Sequence, residues 1–170
     1  TKGVAVAGLA ALVLAAGSYA AGARINTTKS IPVGLYWTSS APVEKGAYVL
    51  FCPPQLGVFD DAKERGYIGA GFCQGGYGYM MKRVLAAKDD AVAVADDGVR
   101  VNGELLPLSA PIKADKAGRP LPRYQSNSYT LGNSEVLLMS DVSATSFDGR
   151  YFGPINRSQI KTVIRPVITW

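Results

Sequence analysis

The chain has 170 residues and 48% hydrophobic content, which suits one compact domain with a short appendage. Its 18 Lys and Arg against 13 Asp and Glu leave a formal charge of +5, and the basic residues are scattered rather than clustered with aromatics. That pattern argues for no nucleic-acid partner and favours attraction to anionic membrane lipid. Histidine is absent, which excludes a Ser-His-Asp or Cys-His triad, and two Cys without His display no zinc pattern, so neither metal nor cofactor is expected. Any nucleophile must take Lys, a carboxylate, Tyr or an N-terminal amine as its base, and lysine leads.

Residues 3 to 23 form an uncharged apolar run of the length that spans a bilayer as a helix, with Lys2 before it and Arg24 after. The simplest arrangement is an N-terminal anchor, 1–23, in the cytoplasmic membrane, single-pass, followed by an extracytoplasmic domain, 24–170, on the periplasmic side. A cleavable secretory signal ending in the Ala-rich stretch 19–23 is the other reading; both put the domain outside the cytoplasm. From Ala23 to Ser30 is seven residues, about 23 Å when fully extended, so Ser30 stays near the membrane surface. Ile31, Val33, Leu35, Tyr36 and Trp37 are expected to surround it with apolar and amphipathic side chains, so that the site faces the bilayer.

Cys52 and Cys73 suit an oxidising compartment and are expected to form a disulfide, closing a segment with little capacity to bury itself; two separate buried thiols are the alternative. Neither has a basic activator nearby in sequence that would make it catalytic. Helical periodicity is scarce after the anchor. Strands are predicted at 47–51, 77–86, 91–95, 99–101, 135–139 and 162–168, with reversals at Asp97-Gly98, Asn102-Gly103, Gly132-Asn133 and Asp148-Gly149. The stretch 107–129 reads as a long surface loop. The glycines from Gly66 to Gly78 fit neither a dinucleotide fingerprint nor a P-loop and are assigned to turns.

Three segments carry candidate chemistry. In the first, 26–36, Ser30 precedes a backbone restricted by Pro32 and Gly34, able to hold one exposed hydroxyl in one geometry; an ordinary linker serine is the bland alternative. In the second, strand alternation puts Lys82 on the face of Met80 and Val84. Burial there disfavours the ammonium and lowers its pKa toward the range in which a neutral amine can deprotonate serine; a lysine reaching out to water beside Arg83 is the alternative. The third, 140–153, read alone is a polar turn rich in hydroxyls and carboxylates.

Together and in this order, the three segments resemble the type I signal peptidase superfamily, and most closely its conjugative-transfer branch, the TraF-like plasmid peptidases. The likeness rests on Asn26-x-Thr28-x-Ser30-x-Pro32-x-Gly34-x-Tyr36, on Lys82-Arg83-Val84, on the turn from Asp97 to Gly103, and on Asp141, Ser146, Asp148, Arg150 and Gly153 of the last box. Ser140, Val142, Ser143 and Gly149 depart from that box. The resemblance implies a mainly β, antiparallel signal-peptidase-like domain on one N-terminal transmembrane helix. It implies Ser30 as nucleophile, Lys82 as base, Ser146 holding the lysine, Thr28 supporting the oxyanion, and Asp148 organising the site or acting as a third catalytic member. The implied activity is serine endopeptidase processing of exported precursors, conjugative pilin maturation above all, by cleavage alone or by cleavage with cyclisation, between which the sequence does not choose, the partner being a pilin or signal-peptide-bearing precursor. A general signal peptidase and a catalytically silent scaffold of a pilus or secretion machine are the alternatives.

Overall fold

The computed structural model describes residues 2–170. Helix α1, Lys2–Ala20, is apolar on every side from Gly3 on and meets the domain at its last turn, where Arg24 lies over the Tyr19 ring at 3.9 Å and donates to the Tyr19 carbonyl at 2.8 Å. Its stretch Gly3–Ala20 is long and apolar enough to cross a membrane, a property that signal sequences share. The chain then turns at Gly22, with φ +116°, where an added Cβ would lie 2.4 Å from Thr38 Oγ1; only glycine fits this approach. The Gly22 carbonyl accepts from Thr38 N at 2.9 Å, so the helix end is tied directly to the sheet that follows.

The rest is antiparallel β structure. Seven strands form one sheet: β1 (Ala23–Asn26), β2 (Gly34–Ser39), β3 (Tyr48–Phe51), β4 (Met80–Ala86), β9 (Glu135–Met139), β10 (Ile155–Asn156) and β11 (Ile160–Thr169), in the order β1-β2-β11-β3-β4-β9-β10. The other four, β5 (Ala91–Ala95), β6 (Gly98–Val101), β7 (Glu104–Leu105) and β8 (Ser126–Thr130), form a smaller sheet in the order β7-β6-β5-β8. Strand β9 serves two cores: Val136 and Leu138 enter a cluster with Val49, Phe51, Phe59 and Val84, whereas Leu137 and Met139 enter another with Val92, Val94, Val99 and Val101. That division is what period-two alternation gives a strand covered on both faces.

All six predicted strands are present, 91–95 and 135–139 with the predicted ends and the other four with shifted ones: the strand expected from residue 77 begins at Met80, because Gly78 and Gly71 pack backbone to backbone and a Cβ at Gly71 would meet Gly78 Cα at 2.6 Å. Strands β1 and β2 were not foreseen. They place Ile31 and Tyr36, both fully buried, in a third core with Leu50 and Ile164, which removes these two from the apolar surface expected around Ser30. The exposed apolar side chains of this part of the sheet are instead Ile25, Trp37, Val167, Ile168 and Trp170. The 107–129 stretch is irregular as expected except at its end, where β8 pairs with β5.

Cys52 and Cys73 are joined, with Cα atoms 5.5 Å apart. The bridged segment is not the core-poor loop it was read as. It holds helix α2 (Gly57–Glu64), whose Phe59 and Ala62 are buried, and it buries Ile68 as well. Asp148-Gly149 starts a helix rather than reversing a hairpin: Asp148 caps α3 (Gly149–Phe152) by accepting from Arg150 N.

Candidate active site

Strand β4 pairs with β3 on one side and β9 on the other, and its inward residues are Met80, Lys82, Val84 and Ala86. Lys82 is therefore carried into the interior by the register of its apolar neighbours. It is 2% exposed, while Arg83, one residue on, points outward to pair with Asp141 and donates to the Gly46 carbonyl at 3.0 Å. The inward lysine, not the water-reaching alternative, is what the fold adopts.

Ser30 sits on the irregular link between β1 and β2, held from below by the buried Ile31. Lys82 Nζ donates to Ser30 Oγ at 2.7 Å and to Ser146 Oγ at 2.8 Å, and the two hydroxyl oxygens are 3.4 Å apart. Ser146 comes from the loop after β9, so a strand and two loops from three parts of the chain converge on one amine. No carboxylate touches that amine, and burial pushes its pKa down from the ordinary 10.5 to about 8; Asp148 opposes the shift through space and Arg150 adds to it. A lysine in this state has a substantial neutral fraction near neutral to mildly alkaline pH, and its lone pair lies within proton-transfer distance of a hydroxyl.

Asp148, fully buried, does not bond to Ser30 or Lys82. Its oxygens take Arg150 Nε at 2.8 Å, Arg150 NH2 at 3.0 Å and Ser140 N at 3.0 Å. Arg150, also fully buried, spends its remaining donors on the carbonyls of Leu108, Ala144 and Ser143. The pair thus fixes the loop that carries Ser146. Ser140, a departure from the family box, still serves it, giving its amide to Asp148 and accepting Val142 N with its hydroxyl. The Thr28 hydroxyl donates to Asn26 Oδ1 at 3.0 Å, so its one proton must turn before it can reach any group at Ser30.

Ser30 and Lys82 open on a cleft of about 260 Å³, walled by Thr28, Tyr67, Ile68, Met80, Met81 and Phe147. The wall residues Tyr67 and Phe147 were not singled out in the sequence. They meet at 5.5 Å between ring centroids, and Phe147 also stacks on Tyr151 at 5.8 Å and packs against Phe59 of α2 and Phe152 of α3. Such aromatic contacts, each worth about 0.5–1.5 kcal/mol beyond area burial, tie the disulfide-bridged segment to the Ser146 loop. Tyr67 also donates to Asp115, holding the long loop beside the cleft. Among the described residues no group of three His, Cys, Asp or Glu is placed to hold a metal.

A buried lysine between two serines on a mainly antiparallel β domain brings a hydroxyl and a candidate base together without histidine. The profile of the family described as signal peptidase, peptidase S26, matches residues 3–170, and the chain belongs to that family; it is a serine peptidase of the signal peptidase type. It is 96% identical over 168 residues to a plasmid transfer protein TraF of Escherichia coli, covering 99% of this chain and 94% of the relative. A second plasmid transfer protein TraF of Escherichia coli is 78% identical over 170 residues, covering 100% and 96%. A conjugal transfer protein TraF of Agrobacterium tumefaciens is 34% identical over 159 residues, covering 92% and 88%. Among solved structures, a signal peptidase I from Enterococcus faecalis is 16% identical, with 75% of this chain and 100% of that chain covered and a TM-score of 0.42.

Proposed function

We propose that this chain is a membrane-anchored endopeptidase that matures a conjugative pilin precursor, with Ser30 as nucleophile and Lys82 as general base. The observation that carries the reading is the buried Lys82 amine, 2.7 Å from Ser30 Oγ and unpaired with any carboxylate. Neutral Lys82 takes the hydroxyl proton as Ser30 Oγ attacks the peptide carbonyl carbon, and the ammonium so formed gives that proton to the departing amine. Ser146 holds Nζ in place through both transfers. The oxyanion lies toward the Ser30 amide, from which nothing among the described residues accepts, and toward the Thr28 hydroxyl once that has turned. The acyl ester is then resolved by water, or by a chain's own α-amine, which forms a new peptide bond and cyclises the product. The names of the relatives, all plasmid or conjugal transfer proteins, favour a transfer pilin over general secretory precursors.

The anchor is α1, retained, with the domain outside the cytoplasm. Ile25, Trp37, Val167, Ile168 and Trp170 expose apolar and amphipathic side chains on the strands that follow it, a composition that suits the lipid headgroup zone. The test is to incubate the full-length protein in lipid vesicles with candidate pilin precursors and weigh the products. Hydrolysis gives the two fragments, whereas cyclisation gives a product lighter than the linear one by a water. Ser30→Ala should give neither, and a serine-directed acylating probe should label Ser30 of the unmodified protein. Processing by Ser30→Ala at the unmodified rate would overturn the reading.

A further inference from the structure

The link between β1 and β2, residues 27–33, makes no ladder with a neighbouring strand apart from its last residue, Val33, whose carbonyl accepts from Trp170 N at 3.0 Å, yet it carries Ser30. One side chain replaces the missing ladder. Asn26, the last residue of β1 and 4% exposed, donates through Nδ2 to the carbonyls of Thr28 at 2.7 Å, Ile31 at 3.0 Å and Pro32 at 3.1 Å. Its Oδ1 accepts the Thr28 amide at 3.2 Å and the Thr28 hydroxyl at 3.0 Å. A carboxamide offers two N–H donors and one carbonyl with two lone pairs, so this amide is used to capacity, one N–H being shared between two acceptors. The contacts fall on both sides of Ser30, which itself makes none with Asn26. The Pro32 carbonyl is gripped a second time by the Tyr36 hydroxyl at 2.6 Å, and Gly34 lets the chain leave the loop where a Cβ would lie 2.2 Å from the Ile168 carbonyl oxygen.

We propose that Asn26 is the positioning residue of this active site: it sets the Ser30 to Lys82 geometry by bracing the loop before and after the nucleophile, and it fixes the resting place of the Thr28 hydroxyl. The proposal rests on Ser30 and Lys82 as the reacting pair. No other residue type supplies the combination at this length. Asp has the acceptor without the donors, Ser and Thr do not reach three carbonyls, and Ala leaves buried carbonyls unpaired. The effect on rate follows from reach, since a displacement near 1 Å at a reacting centre costs about 100-fold.

The experiment measures the rate constant, not the extent, of Ser30 acylation by a serine-directed probe in full-length protein, together with kcat and KM on a precursor. Asn26→Ala and Asn26→Asp are compared with the unmodified chain, Asp serving as the near-isosteric variant that keeps the fold. Both variants should acylate roughly 10- to 100-fold more slowly, with the loss in kcat and KM changed by less than about threefold. Tyr36→Phe, which removes only the second grip on Pro32, should cost less and be non-additive with Asn26→Asp, as coupled neighbours are. A merely structural role would lower the labelled fraction through unfolding and leave the rate constant of the folded molecules unchanged. Rate constants within about threefold of the unmodified protein in both variants would overturn the proposal. If the unmodified chain is not labelled at Ser30, the Ser30/Lys82 reading fails instead.

Discussion

Among the described residues the domain buries two cations, Lys82 and Arg150, and surrounds them in opposite ways. Arg150 is matched by the Asp148 carboxylate and three backbone carbonyls, so its donors are all committed. Lys82 is given two hydroxyls and no carboxylate, so its charge is left unsupported and its pKa falls to about 8. Partner chemistry, not burial alone, decides whether a buried cation becomes a structural strut or a proton carrier.

The strongest way to break the comparison is to replace Lys82 by Met, which keeps the apolar stem and removes the amine. Activity on a precursor should drop by on the order of 10⁴-fold or more, as when a dyad member is lost. Stability should move the other way. The folded value of Lys82, about 8, lies below its ordinary 10.5. Below pH 8 both folded and unfolded chains hold the proton, and the fold bears the full cost of a buried ammonium; between 8 and 10.5 the fold releases its proton first, and stability rises with pH. The Met variant should therefore be more stable than the unmodified protein at pH 7, by up to about 3 kcal/mol, with the gain fading toward pH 10.5. Urea unfolding at a series of pH values reads this directly; a Met variant less stable at pH 7 would mean that Lys82 is held as Arg150 is.

Arg150→Met tests the other half. It strands the Asp148 carboxylate and several carbonyls in the interior, and breaking a buried pair on one side costs about 3–5 kcal/mol. Thermal unfolding should show a fall, with no gain at any pH between 6 and 9. A variant as stable as the parent would mean that the Ser146 loop does not depend on the pair.

The subtlest expected effect links the two sites. Asp148 raises the Lys82 pKa through space. Asp148→Asn should therefore move the rising limb of the acylation rate, whose midpoint is expected near pH 8 in the unmodified protein, to lower pH. An unmoved limb would confine Asp148 to holding the loop.

Much of this site was legible in the sequence because its parts sit in short, self-announcing contexts. Lys82 has alternating apolar neighbours in a strand, and Ser30 stands in a Pro/Gly-restricted stretch whose spacing resembles the family motif. What escaped reading depends on partners distant in sequence. Ile31 and Tyr36 look like exposed linker residues until β11, from the other end of the chain, pairs with β2 and closes a core over them. Helix α2 is only eight residues long with four charged side chains, too short for a clear period, and it is held by Phe59 packing on Phe147 and Phe152. Asn26 stands in the motif that resembles the family, but its bracing role gave no signal, because its partners are carbonyls of an irregular loop that no periodicity marks. Asp148-Gly149 was misread because a carboxylate before glycine announces a reversal and a helix cap equally well.

The tie between the Gly22 carbonyl and Thr38 has a mechanical meaning. A peptidase slung from its helix by a floppy tether could sample many heights above a bilayer, whereas here the helix runs into β1 after only Ala21 and Gly22, and β1 ends at the residue that braces the Ser30 loop. In the proposed membrane setting, helix, strand and nucleophile then behave as one rigid gauge, and a scissile bond is chosen by its altitude above the lipid as well as by its side chains.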